Sequence, residues 1–397
     1  MSASPSQTPV YPAADLPDFE AMSDDDFRGR VRRFVADAYP DIPRFVQRRL
    51  HWDEVKPWYM ALSRAGWICP TWPREWGGMA LGPGKHLVLI EEFERHGCAR
   101  VHDIGPVMLG PLLMKYGTEA QKAFYLPRIL SGEDIWAQGY SEPDAGSDLA
   151  DVRTEAVRDG EEWVIDGQKT WTTLGMDANR IFILARTDKT VKKQAGISFL
   201  LVPMDAAGIT VRPIRNLEGH AEFCEVFFDA VRVPADSLVG EENQGWAIAK
   251  ALLGHERVFI GAPRLSGNAL ARLRHLAEAR GVFGDPALRD RYTRLKMDVD
   301  DLADLFETYV DKLRGGEAIG PDVAMLKIFQ SELYQRISEE MMELAGESAA
   351  LREPEGGDPK LHAAGTWLAA RPTTIFGGST EVMRNMMARY VLDLPPG

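Results

Sequence analysis

Glu256 stands out first, because every neighbour on its face of a helix is apolar. Helical periodicity holds from Asn243 onward. At about 100° per residue, the positions within roughly 60° of Glu256 are Ala249, Leu252, Leu253, Phe259 and Ile260. Burial there desolvates a carboxylate and raises its pKa. Such a group either pairs with an arginine from another helix or removes a proton as a base, and helix position alone leaves both open. Upstream, two polar segments carry a different chemistry. Gln138 and Tyr140 lead into the turn-rich run Ser141-Glu142-Pro143-Asp144-Ala145-Gly146-Ser147-Asp148. Then Gln168-Lys169-Thr170-Trp171-Thr172-Thr173 reads as a strand that presents an indole and two hydroxyls. Together they suit a flat, polar-edged aromatic ring system rather than a phosphate. Each segment alone also matches a plain turn or a half-buried strand, since Trp and Thr are good strand formers. Glu142 and Asp148 read as acceptors that fix the loop rather than as acids.

The elements that must position these residues fall into three stretches. Residues 1–22 are expected to form a disordered tail, since the first eighteen are rich in Ser, Pro and Ala. With no basic start and no apolar run, this stretch is not read as a secretory signal. Residues 23–136 read as helical, with apolar residues three and four apart, as in Phe27, Val31, Phe34 and Val35. Residues 137–242 read as an antiparallel β domain. There Asp159-Gly160 and Asp166-Gly167 flank a short apolar run and predict two hairpins. Further short runs, Ile181 to Ala185, Ile197 to Val202 and Val226 to Phe228, extend the sheet. Residues 243–397 return to helix. Helices, then strands, then helices make an α+β chain rather than an alternating βαβ one.

Composition narrows the function. The 397 residues are 45% hydrophobic and 26% charged, with a net charge of −13, which argues against a broad surface for nucleic acid or an anionic membrane. No apolar run approaches the ~20 residues of a membrane span. Cys69, Cys98 and Cys224 are odd in number and far apart, so a reducing cytoplasm is expected, without disulfides or a zinc site. None of the eight histidines suggests a metal cluster. Gly77-Gly78-Met79-Ala80-Leu81-Gly82 lacks the spacing and the preceding strand of a Rossmann fingerprint. P-loop, nucleophile-elbow and zinc-protease motifs are also absent.

Both polar segments, in their order and separation, resemble the two flavin-contacting segments of the acyl-CoA dehydrogenase family. The resemblance runs from the Trp67 region to Val391-Leu392-Asp393-Leu394-Pro395. It implies a helical N-terminal domain, a middle antiparallel β domain and a C-terminal four-helix bundle, assembled as a tetramer with FAD at subunit interfaces. It assigns Gln138, Tyr140, Ser141, Ser147, Trp171, Thr172 and Thr173 to the flavin, and Gly378, Ser379 and Glu381 to the cofactor as well. Arg280 and Phe283, in Arg280-Gly281-Val282-Phe283-Gly284, match a stretch that reaches the FAD of a neighbouring subunit. The chain departs from the pattern nearby. The loop after Gly284 is short, Pro286 replaces a polar residue, and Ala345-Gly346-Glu347-Ser348 replaces a Gly-rich loop.

In many members of that family the base precedes a Gly-Thr/Ser pair near the C-terminus. Here that position, in Ile375-Phe376-Gly377-Gly378-Ser379-Thr380-Glu381, is Gly377. The isovaleryl and long-chain members carry the base in a Glu-Arg pair on a helix, which matches Glu256-Arg257. The resemblance therefore implies Glu256 as base. Ser147, Arg257, Gly377 and Gly378 would contact substrate, with the Gly377 N–H on the thioester oxygen. It implies α,β-dehydrogenation of an acyl-CoA, a branched, alicyclic or steroid-like acyl group, and electron transfer to an electron-transfer flavoprotein. Two other readings stand beside it: one subunit of a heterotetramer, in the extreme non-catalytic, and a flavin monooxygenase or oxidase on the same fold.

Overall fold

The computed structural model describes residues 16–395, apart from the side chains of 252–257 and 259. Helices α1 (Asp24–Ala38), α2 (Trp52–Arg64), α3 (Pro83–Arg95), α4 (Gly110–Tyr116) and α5 (Glu119–Ser131) come first. Strands β1 (Trp136–Gly139), β2 (Glu155–Asp159), β3 (Glu162–Thr173), β4 (Arg180–Arg186), β5 (Ile197–Pro203), β6 (Ile209–Ile214), β7 (Phe223–Pro234) and β8 (Leu238–Val239) follow. Helices α6 (Gly245–Ile260), α7 (Arg264–Ala279), α8 (Pro286–Arg314), α9 (Ala324–Ala345), α10 (Ala363–Ala370) and α11 (Thr380–Tyr390) complete the chain. No described helix is long and apolar enough to cross a membrane.

The chain divides into two compact units. One holds the residues up to 251 except 44–48 and 215–220; the other holds those two segments and 252–397. In the first unit, α1 starts where Ser23 caps the Asp26 N–H at 3.1 Å and three aspartates fill the positive first turn. Phe27, Val31 and Val35 are buried as their spacing predicts, while Phe34 stacks on Trp67 at 4.3 Å. The expected tail lies outside the described residues up to 15, and its last part is no tail. Phe19 is fully buried, edge-on to Phe27 and Trp67. One enclosed aromatic ring offsets the entropy of ordering the few residues around it.

The sheet runs β6-β7-β3-β2-β4-β5-β8, with β1 paired to β4. It is mostly antiparallel, but β1–β4 is parallel and β2 meets β4 in a parallel contact. The Asp159-Gly160 hairpin forms as expected, with Asp159 opposite Glu162. Asp166-Gly167 is not a second hairpin. It lies inside β3, opposite a bulge of β7 where the Asp166 carboxylate accepts the Ala230 N–H at 2.8 Å. Gly167 is needed there twice over: its φ is +148°, and a Cβ would fall 2.6 Å from Thr154 Cα. Trp163, Ile165, Ile183, Leu200, Val226 and Val233 build the core on one face of the sheet. In the second unit, α9 is the central helix and packs against α7, α8, α10 and α11.

Candidate active site

In the first unit the two polar segments come together, and a buried ion pair holds them. Gln138 lies opposite Phe182 in the β1–β4 pairing, and the chain leaves the sheet at Tyr140. Thr170 N–H, on β3, donates to Ser141 O at 2.9 Å, which joins the segments directly. Lys169, fully buried on the same strand, donates to Glu142 Oε1 at 2.6 Å, Leu184 O at 2.7 Å and Tyr140 O at 3.3 Å. Glu142 also accepts the Arg153 and Thr154 amides at 2.6 and 2.9 Å. Burial raises the Glu142 pKa, yet Lys169 and these amides outweigh it and hold the carboxylate below its ordinary value. Burial lowers Lys169 to about 8. Glu142 is thus the loop-fixing acceptor its sequence context suggests.

The indole is presented by strain. Thr170 and Trp171 stand opposite the single residue Glu225, a bulge that forces Trp171 to φ +57°. A left-handed aromatic residue costs about 1–3 kcal/mol and persists only where its surroundings over-determine it. The bulge turns the Trp171 ring outward, 60% exposed, with Phe223 edge-on at 6.1 Å. Thr173 is half-buried, as are Gln138 and Ser141, and Ser147 is exposed. A flat ring against Trp171 would find hydroxyl and amide groups at its edge.

Two assigned residues are placed differently. Tyr140 packs its ring edge-on against Phe182 and Phe199, which leaves its backbone as the part available to a ligand. Thr172 has no exposed surface; its side chain points away from Trp171 and Thr173. Its buried hydroxyl has no hydrogen-bond partner among the described residues. Thr172→Val removes that unmet polar group while keeping the shape, and is expected to stabilise the protein by about 1 kcal/mol. A denaturant titration of both proteins checks this; a destabilised variant would mean that the hydroxyl is bonded.

In the second unit, Gly377 and Gly378 take consecutive positive φ values of +65° and +94°. Glycine suits both positions because side chains rarely adopt this left-handed backbone; a Cβ at Gly378 would displace only the flexible end of Met383. Ser379 spends its hydroxyl capping α11 on the Val382 N–H at 3.3 Å, and Glu381 is exposed in the first turn. Gly377 lines a small cavity with Ile260, Val323, Ala324, Lys327 and Met383. Glu256 and Arg257 fall on α6 but outside the described side chains.

Arg280 ends α7, and its guanidinium is engaged within the unit by Ser348 Oγ at 2.6 Å and Glu355 at 2.9 Å. Phe283 packs edge-on to Tyr292 at 5.2 Å. Pro286 has a local cause: it occupies the first position of α8, where its missing N–H costs nothing, and Asp285 caps the helix on the Leu288 N–H at 2.8 Å. The sequence reading passed over Lys169 and Lys327 as positioned residues. An inward lysine in an alternating strand, and a lysine among Ala324, Met325, Leu326, Ile328 and Phe329 at the start of a helix, were the available signals.

Models of the acyl-CoA dehydrogenase N-terminal, middle and C-terminal domains match residues 23–133, 137–231 and 243–392. The acyl-CoA dehydrogenase IpdE1 of Mycobacterium tuberculosis is 36% identical over 384 residues, 94% of this chain and 98% of that protein. The solved Tcur3481-Tcur3483 steroid ACAD has a TM-score of 0.86 at 31% identity, covering 96% of this chain and 100% of that one. The ChsE4-ChsE5 complex from Mycobacterium tuberculosis has a TM-score of 0.80 at 29% identity, covering 94% and 98%. Matched by three successive domains of one family along nearly its whole length, the chain belongs to the acyl-CoA dehydrogenases, FAD-dependent flavoprotein oxidoreductases.

Proposed function

We propose that the chain dehydrogenates the Cα–Cβ bond of a bulky, steroid-like acyl-CoA, with Glu256 as base and an electron-transfer flavoprotein as acceptor. The observation that carries this reading is the joined pair of segments, Ser141 bonded to Thr170, beside an outward Trp171. Gln138, Ser141, Ser147, Trp171 and Thr173 would hold the flavin. FAD, when bound, supplies the acceptor for the β hydride. The protein's own part is proton chemistry and positioning. Gly377 carries no carboxylate, which leaves the helix-borne Glu256 to take the α proton, and its N–H is free of a side chain that would crowd the thioester oxygen. A bulky acyl group is supported by the glycine pair and by the likeness to a solved steroid acyl-CoA dehydrogenase.

A second reading, one subunit of a heterotetramer, is favoured by Arg280. The resemblance assigns it to a neighbour's FAD, yet here Glu355 neutralises it. Two similar structures also carry paired names. Product analysis tests the main reading. With an artificial electron acceptor, the acyl group should lose two hydrogens and gain no oxygen. An oxygenated product would replace dehydrogenation with monooxygenation. A flavin-free preparation that gains FAD and activity only with a related chain would move the assignment to the heterotetramer.

A further inference from the structure

A charged group lines the same cavity as Gly377. Lys327 on α9 is 3% exposed, and its ammonium has no hydrogen-bond partner among the described residues. An unpaired buried charge normally costs stability, so its position calls for a use. Burial lowers its pKa to about 8, which leaves it largely charged at neutral pH. The carboxylates whose field it feels are Glu381 on α11 and Glu332 on α9 itself. Glu381 is exposed, and Glu332 is engaged by Arg384 at 2.6 Å, so neither neutralises it by contact.

The geometry is what gives the charge a target. Lys327 and Gly377 line one small, partly open cavity of about 10 Å³, roughly the room of one water, together with Ile260, Val323, Ala324 and Met383. The walls other than Lys327 and the Gly377 backbone are apolar. A Cβ at Gly377 would come 3.2 Å from Ile260 Cδ1, so the glycine keeps its backbone as that wall of the cavity.

We propose that the Lys327 ammonium, behind the Gly377 backbone, stabilises the negative charge that builds on the thioester oxygen as the α proton leaves. This rests on the reading that the Gly377 N–H receives that oxygen. No bond to lysine forms. The α C–H electrons shift toward the carbonyl oxygen, the proton goes to the base, and the fixed positive charge lowers the energy of the enolate-like state. Lys327 acts through its field on a group it does not touch, so it is a positioning residue. An apolar environment strengthens that field.

The test is Lys327→Met, which keeps most of the unbranched side chain and removes the charge. The ligand is acetoacetyl-CoA, whose enolate gives a long-wavelength charge-transfer band on an oxidised flavin and which cannot be dehydrogenated in the same way. Titrating the band with pH reads the acidity of the bound ligand. The expected result is a midpoint raised by about one to two pH units, turnover of a true substrate lowered about tenfold to a hundredfold, and a melting temperature equal or higher. The midpoint shift should persist when Glu256→Gln is added, because it does not act through the base. An unchanged midpoint with a lower melting temperature would make Lys327 structural and overturn the proposal. So would a shift that vanishes in the Glu256→Gln background, which would make Lys327 a partner of the base. A wild-type protein with bound FAD that gives no band would instead remove the Gly377 reading underneath, before any variant is compared.

Discussion

Replacing Lys169 by methionine is expected to cost about 3–5 kcal/mol of stability and most of the bound flavin. The lysine is fully buried, and it joins Glu142, Tyr140 O and Leu184 O into one knot beneath the two polar segments. Its loss leaves the Glu142 carboxylate buried with only two amide donors. It also frees Tyr140 O from the strand that carries Trp171 and leaves the Thr170 N–H to Ser141 O bond to join the segments. The sign of the pH dependence follows from Glu142. Its folded pKa lies below the ordinary 4.5, so its stabilisation is complete above about pH 4.5 and is lost as the pH falls through the lower folded value. The gap between variant and wild type should therefore narrow in acid, where Glu142 is protonated in both. Denaturant titration at several pH values, with the flavin-to-protein absorbance ratio, checks both parts. A variant that keeps its flavin and melts with the wild type would show that the knot does not hold the pocket.

Glu256→Gln is expected to slow reduction of the flavin by substrate by about 10²- to 10⁴-fold, equivalent to roughly 3–5 kcal/mol in the barrier. The amide keeps the shape and the polarity of the side chain but cannot accept the α proton. FAD content and melting should stay close to wild type, since the residue is assigned to the thioester and not to the cofactor. Stopped-flow absorbance under anaerobic conditions measures the effect. Equal rates would place the base elsewhere. Loss of folding instead of rate would favour the ion-pair role that helix position alone allowed.

What the sequence disclosed depended on how local the signal was. The Phe27, Val31 and Val35 stripe and the Asp159-Gly160 turn are decided by residues a few positions apart, and both appear as expected. Asp166-Gly167 has the same composition as a hairpin turn. Only the partner strand β7 makes it the inside of a strand opposite a bulge, and that partner lies some sixty residues away. The Trp171 bulge has no turn residue to announce it, and an aromatic residue at positive φ runs against propensity. Lys169 and Lys327 are hidden for a related reason: lysine reads as surface until the packing around it is known. Phe19 was lost within a stretch whose average composition looked disordered. Chemistry was easier to see than placement. The two polar segments were legible as residue types, whereas the inward turn of the Thr172 side chain needed the register.

The central claim is that the chain oxidises a bulky thioester through bound FAD. The most direct measurement is an anaerobic titration of the purified protein with straight-chain, branched and steroid-like acyl-CoAs, followed by its absorbance spectrum. Bleaching of the oxidised-flavin band by the steroid-like thioesters, at one equivalent per flavin, is the result predicted. A saturated flavin that none of these thioesters bleaches would contradict it.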